Sequence, residues 1–452
     1  VKRVTSRAWF SVICISGLLV TGMAVPSAFG TTTESAGPNG SSADDSRRSG
    51  PELTVAAGPS ESGSGSGSAT ISRPSDRRGP NTVKDAKVTL SAYDAKAGRA
   101  VLDRKDRGTG GIGVRKGDVI ASPPTKAAPA GALVKVKDVR SDDGGKAELR
   151  TSRANLTEVL GGAEADGKIP VSSSAWKVDP QVKGLDVTRG AAKNADKTLD
   201  NLHFDFDTQL PGSGDDPAQE PATALNGFLE ISPKVDFSYD GHGSGDPADA
   251  TASIGIGGDY KAGWRVKGAV EPDFSERMPL AEASAHPVIM VGPVPVVVSL
   301  KLTLALKVRA NGRVEVDVDQ QASGTVKVGT RYAEESGWQP DTQAEGKTLP
   351  GGKAEVSGQG ELRTALGPEA NVSLYDTVGV VAFFGPYLRA TGEFPEGAGG
   401  GSWKLFGGLT LESSLYVQLP LVIIGNRPSK HLDFPPLNRE WFITEGKLPA
   451  RS

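Results

Sequence analysis

Four histidines, His203, His242, His286 and His431, stand singly along the chain, and none has a second ligand at the short spacing that lets two imidazoles share a metal. No Gly-x-Ser-x-Gly elbow and no His-Glu-x-x-His run occurs. The loop Asp240-Gly241-His242-Gly243-Ser244-Gly245-Asp246 offers two carboxylates and an imidazole. It lacks the closing glutamate of a calcium loop and reads as a hairpin tip. Acidic residues abound, yet no spacing singles out the two carboxylates that a glycosidase needs. Gly108-Thr109-Gly110-Gly111-Ile112-Gly113 has neither the strand before nor the helix after it that a phosphate-binding loop requires. The residue types therefore single out no catalytic residue, no metal site and no cofactor.

The positive signal is aromatic. Trp264, Trp338, Trp403, Tyr387 and Tyr416 lie in or beside alternating stretches, as do Trp441, Tyr260 and Tyr332. Rings set in a flat row on a sheet could stack on sugars, and these five are the candidate binding residues. Packing inside a core is the competing reading of the same rings. A cleft between two sheets could instead take an acyl chain along Leu300 to Val308, with an ordinary core as its alternative.

Such side chains must be positioned by strands. Residues 201–452 alternate apolar and polar residues over long runs, and in SLKLTLALKVRA the residues Leu300, Leu302, Leu304, Leu306 and Val308 share one face. Asn311-Gly312 follows, between that run and VEVDVDQQASG, and is the strongest short hairpin signal in the chain. The entry Gly292-Pro293-Val294-Pro295-Val296-Val297-Val298 suits an edge or bend leading into a strand buried on both faces. Half-polar alternation argues against a parallel α/β sheet. The expected fold class is all-β: a small barrel or roll over 84–188, a linker over 189–200, then a large antiparallel sandwich or elongated barrel-like domain of long strands over 201–452. One short helix is expected around Leu156, Val159 and Leu160, capped by Asn155 or Thr157 and ended by Gly161.

Within the smaller region Gly117-Asp118-Val119-Ile120, a proline-containing loop, Gly131-Ala132-Leu133-Val134-Lys135-Val136 and Thr151-Ser152-Arg153-Ala154-Asn155-Leu156-Thr157-Glu158 follow one another. This pattern, about a hundred residues long, resembles uncharacterised secreted β-rich proteins of high-GC Gram-positive bacteria. The Gly-Pro-x-Pro-Val-Val-Val entry and Gly385-Pro386-Tyr387-Leu388 resemble secreted bacterial β-proteins as well. The resemblance implies a module boundary and an extracellular setting. It implies no activity.

The first thirty residues carry the same implication independently. Lys2, Arg3 and Arg7 precede an apolar stretch from Trp9 to Val25, and Ala28-Phe29-Gly30 forms a small-residue cleavage site. Cleavage there would remove Cys14, the only cysteine, and with it every thiol chemistry. An uncleaved anchor is the alternative. Residues 31–83 are rich in Gly, Ser and Pro and are expected to be a disordered linker.

Loss of the leader would move the formal charge from -3 to about -6, which gives no electrostatic case for nucleic acid. No integral membrane span is expected after cleavage. The combined expectation is a secreted or cell-surface, non-enzymatic protein with a binding or structural role. Its partner would be a cell-wall or extracellular glycan or another surface protein. The alternatives are a carbohydrate-binding protein for wall or extracellular polysaccharide, and a cell-wall hydrolase whose carboxylates have no sequence signature.

Overall fold

Alternation becomes strand almost everywhere, and the described residues are all-β apart from one turn of α-helix and one of 3-10 helix. The computed structural model describes residues 51–58, 67–74, 81–106, 108, 110–191, 200–209, 224–241, 250–270, 274–333, 336–375, 378–395, 400–417 and 431–449. The signal-like stretch 1–30, Cys14 and the loop 242–249 lie outside them.

Two short strands, β1 (Glu52–Leu53) and β2 (Val55–Ala57), come first. Then β3 (Ala69–Arg73), β4 (Thr82–Asp94), β5 (Arg99–Arg104), β6 (Val119–Ser122), β7 (Ala132–Asp143) and β8 (Lys146–Arg153) close a six-stranded antiparallel barrel in the order 3-4-5-8-7-6. Val88, Leu90, Leu102, Val134, Val136 and Leu149 fill it. A bulge between Leu90 and Ala92 turns Ala92 out of the alternation that begins at Val88.

Helix α1 (Leu156–Leu160) follows. Asn155 accepts from the Glu158 amide at 2.8 Å, Glu158 accepts from the Asn155 amide at 3.0 Å, and Gly161 ends the turn. Leu156, Val159 and Leu160 are buried with Val119 and Ala121 in the core of the larger region, so barrel and larger region share packing. The Ser72 hydroxyl donates to the Val159 carbonyl at 3.0 Å across that junction.

The remaining strands are β9 (Glu164–Pro170), β10 (Lys177–Pro180), β11 (Leu185–Ala191), β12 (Asp200–Gln209), β13 (Ala224–Asp240), β14 (Thr251–Val270), β15 (Ser275–Ala285) and β16 (Val288–Val291). They continue with β17 (Val294–Ala333), β18 (Gly337–Pro340), β19 (Gln343–Leu374), β20 (Val378–Glu393), β21 (Gly401–Val417), β22 (His431–Asp433) and β23 (Leu437–Leu448). They form one large sheet, antiparallel except where β1 runs parallel to β9. The long hairpin of β17 and β19 is its spine. The C-terminal part of β17 pairs with β14, which continues through β13 to β12 and β11. The N-terminal part pairs with β15, while β19 continues through β20 and β21 to β23.

These two parts face each other as layers. The Tyr260 ring of β14 meets the Phe384 ring of β20 edge-on at 4.8 Å, and the Gln320 amide of β17 donates to the Tyr387 carbonyl of β20 at 3.3 Å. Leu300, Leu302, Leu304, Leu306 and Val308 all point into the shared core.

Three expectations change. Asn311-Gly312 makes no hairpin: β17 runs through it, with Asn311 opposite Glu361 and Gly312 opposite Gly360. Gly312 has φ +85°, and Gly358 across from Val314 has φ +91°. Left-handed glycines on neighbouring strands bend the spine where it passes from one layer to the other. The 31–83 linker is also interrupted, since β1 pairs with β9, β2 with β16, and β3 belongs to the barrel. Ile71 is 3% exposed there, which repays the cost of ordering this otherwise polar stretch. Finally, residues 156–188 pack on the large sheet and not in the barrel, and Arg189 to Ala191 and Asp200 are strand residues and not linker. The valine run fulfils its reading: Gly292-Pro293 is the turn between β16 and β17, and Val294 to Leu300 are buried on both faces.

Candidate functional site

On a sheet, every second residue faces outward, so cross-strand register decides which side chains meet. On the outward face of the second layer, Arg309 of β17 stands opposite Arg363 of β19, Arg363 opposite Arg389 of β20, and Arg389 opposite Phe406 of β21. One step along, Arg277 of β15 opposes Lys307, Lys307 opposes Ala365, and Ala365 opposes Tyr387. Arg277, Lys307, Arg309 and Arg363 line an open basin of about 310 Å³ together with Ala365, Phe383, Thr410, Glu412 and Asn438.

Three outward rings carry a cation. Lys307 Nζ lies 3.5 Å from the centre of Phe383, the Arg363 guanidinium 3.8 Å from Tyr387, and the Arg389 guanidinium 4.2 Å from Phe406. Such stacks hold long side chains flat against the sheet. Carboxylates pair with most of the cations. Arg277 donates to Glu369 through Nε at 2.9 Å, and Lys307 reaches Glu412 at 3.4 Å. Arg389 grips Glu440 with two donors, at 2.9 and 2.5 Å, and reaches Glu361 at 3.2 Å. The Tyr387 hydroxyl donates to Glu440 at 2.9 Å.

These contacts set the protonation states. The Arg389 guanidinium holds Glu440 below the usual carboxylate range, and Arg277 does the same for Glu369. Burial, reinforced by Glu440, raises the Tyr387 phenol to about 12. At neutral pH the two glutamates are ionised acceptors and the phenol is a donor, an arrangement suited to fixing polar groups in place.

Three of the five predicted aromatics separate: Trp264 and Trp403 pack on the core between the layers, and Tyr387 lies in the outward cluster with Ala365 and Phe383. Trp264 and Tyr387 are each 3% exposed, so neither presents a ring face to solvent. Trp403 is half-buried and leans, with Trp441, on the inner core. Trp338 lies on β18 and Tyr416 on β21 by their backbones. Rings separate because β20, β21 and β23 alternate sides, and sequence proximity to a strand does not say which side. The exposed ring is Phe442, edge-on to Phe406 at 5.9 Å.

His203 lies on β12 between Asp205 at 3.1 Å and Glu230 at 3.5 Å, stacked on Phe228. Among the described residues no group of three metal-ligating side chains converges. The cleft between layers, lined by Leu302, Ile256 and Phe384, holds about 50 Å³. That is room for one or two waters at roughly 30 Å³ each, and an acyl chain does not fit. Sequence reasoning missed the basin because its residues come from β15, β17, β19, β20, β21 and β23; the available signal was the outward arginine or lysine at alternate strand positions. No protein-family model, curated protein or solved structure matches the chain.

Proposed function

We propose that this is a non-enzymatic binding protein of the cell exterior, and that the basin on the outward face of the second layer receives its ligand. The observation that carries this reading is the basin itself: polar side chains from five strands, braced by ion pairs and stacks, above Ala365 and a Phe383 ring capped by Lys307. Bracing from several directions pre-organises a binding surface and reduces the entropy lost on association. A volume near 310 Å³ is at the small end of the range for small-molecule sites, which run roughly 300–1,000 Å³.

The export-like first thirty residues support the extracellular setting. Glu369 and Glu440, held ionised, favour binding over glycoside hydrolysis at this face. A glycan is the favoured ligand among the partners considered, because guanidinium, ammonium, carboxylate, amide and hydroxyl groups match the hydroxyl-lined faces of sugars. The test is retention of the full chain on insoluble peptidoglycan and on insoluble neutral and acidic glycans, with reducing ends assayed in the supernatant. Retention without release of reducing sugar is expected. Release would replace the binding reading with a hydrolase, and failure to bind any of them would remove the glycan.

A further inference from the structure

We infer that the basin recognises a sugar bearing one carboxylate, of the uronic-acid class, with the carboxylate placed on Arg309 and Arg363. The inference rests on the binding role proposed above and names its ligand class. Directly opposed like charges on neighbouring strands are destabilising, yet Arg309, Arg363 and Arg389 stand in one cross-strand row. Arg389 is neutralised by Glu440 and Glu361. Arg277 and Lys307 share Glu369, and Lys307 also has Glu412.

Among the described residues no carboxylate lies within ion-pair distance of Arg309 or Arg363. Arg363 is held flat by the Tyr387 ring, Arg309 is exposed, and both line the basin. Arg363 feels Glu440 only at longer range, and two adjacent guanidiniums without a direct ion pair offer planar donors that match an oxyanion. On the outward face of the first layer Arg265 is bonded to Asp317 at 2.7 Å and Lys327 lies 2.8 Å from Asp341, while Lys261, Lys267 and Arg331 stand exposed; what sets Arg309 and Arg363 apart is that they oppose each other directly and line a basin.

The rest of the basin selects against other anions. Glu276 and Glu412 also line it, and Glu440 and Glu361 flank the arginine row. A densely charged polymer of phosphates would meet these carboxylates, at the cost of like-charge repulsion. A ring with one carboxylate and several hydroxyls would not. Its hydroxyls would meet the Glu412 carboxylate and the Asn438 amide. The latter is oriented because its carbonyl oxygen accepts from the Thr410 hydroxyl at 2.6 Å.

The experiment is calorimetric titration of the full chain at low salt with glucuronate, glucose and inorganic phosphate. It is repeated on the Arg309→Gln/Arg363→Gln double variant and on the Arg309→Lys/Arg363→Lys pair. Glucuronate is expected to bind at least ~10-fold more tightly than glucose. The glutamine pair should lose that ratio while still unfolding cooperatively as a folded protein, and the lysine pair should fall between, since lysine keeps charge without the fork. Equal binding of glucose and glucuronate would overturn the carboxylate assignment. So would phosphate binding as tightly as glucuronate with the same arginine dependence, and so would a glutamine pair with unchanged affinity. If the chain is retained on an insoluble glycan and glucuronate does not bind, the ligand class fails while the binding role stands. If neither occurs, both fail.

Discussion

Gly408 of β21 lies directly opposite Tyr387 of β20, and the tyrosine ring lies across the space where a side chain would be. A Cβ placed there would be 2.2 Å from Cζ of the ring and 2.5 Å from its hydroxyl, far inside carbon contact distances of roughly 3.5 Å or more. In Gly408→Ala the ring must shift by about 1 Å, toward Arg363 stacked at 3.8 Å or away from Glu440 bonded at 2.9 Å. A hydrogen bond to a charged acceptor contributes about 1.5 kcal/mol at the low end suited to a partly exposed glutamate, and the stack about 0.5–1 kcal/mol. The expected loss is therefore about 2 kcal/mol, against an intrinsic strand preference for alanine over glycine of about 0.5–1 kcal/mol in the opposite direction. Urea unfolding followed by tryptophan fluorescence reads the difference by linear extrapolation. The decisive comparison is a cycle with Tyr387→Ala, in which the ring is gone and Gly408→Ala should become neutral or stabilising. An equal cost in both backgrounds, or a stabilised single variant, would refute this account of the basin's wall.

Three further outcomes follow from particular contacts. Glu440 titrates below its ordinary value, chiefly through its bond with Arg389, so the stability it adds is fully present above that ordinary value of 4.5 and is lost as pH falls through the lowered one. Glu440→Gln should therefore be less stable than the parent at pH 7, with the two unfolding curves converging in acid; a gap independent of pH would contradict the pairing. At the bend of the spine, Gly312→Ala should cost about 2 kcal/mol or more in urea unfolding, because φ is +85° and the added methyl would lie 2.4 Å from the Gln359 carbonyl. Asn311→Thr should be tolerated within about 0.5 kcal/mol in β17, whereas a type I′ hairpin turn would penalise a β-branched residue there.

Local pattern was sufficient for much of this molecule. The alternation of Leu300 to Val308 encodes a strand with one apolar face. The same holds for the helix of Leu156 to Leu160, whose cap, apolar stripe and terminating glycine all lie within seven residues. The valine run entering β17 declared its double burial by having no polar alternate. These features depend on neighbours in the chain, and their physics is complete at that range.

What a neighbour on another strand decides was not legible. Asn311-Gly312 has the chemistry of a turn, but pairing with β19 on both sides of it outweighs a two-residue preference and converts the glycine into a bend. Trp264 and Tyr387 carry the residue type of a sugar platform, but Trp264 is buried between the layers and Tyr387 lies under the Arg363 guanidinium on the outward face, and both depend on neighbours from other strands. The basin is the clearest instance. Arg309, Arg363 and Arg389 are separated by 54 and 26 residues, and become a row only because antiparallel register sets them opposite one another. Composition and periodicity thus specified an all-β chain with an export-like start, since those depend on local hydrophobicity. The location of its uncompensated charge came from long-range strand register, which no local pattern contains.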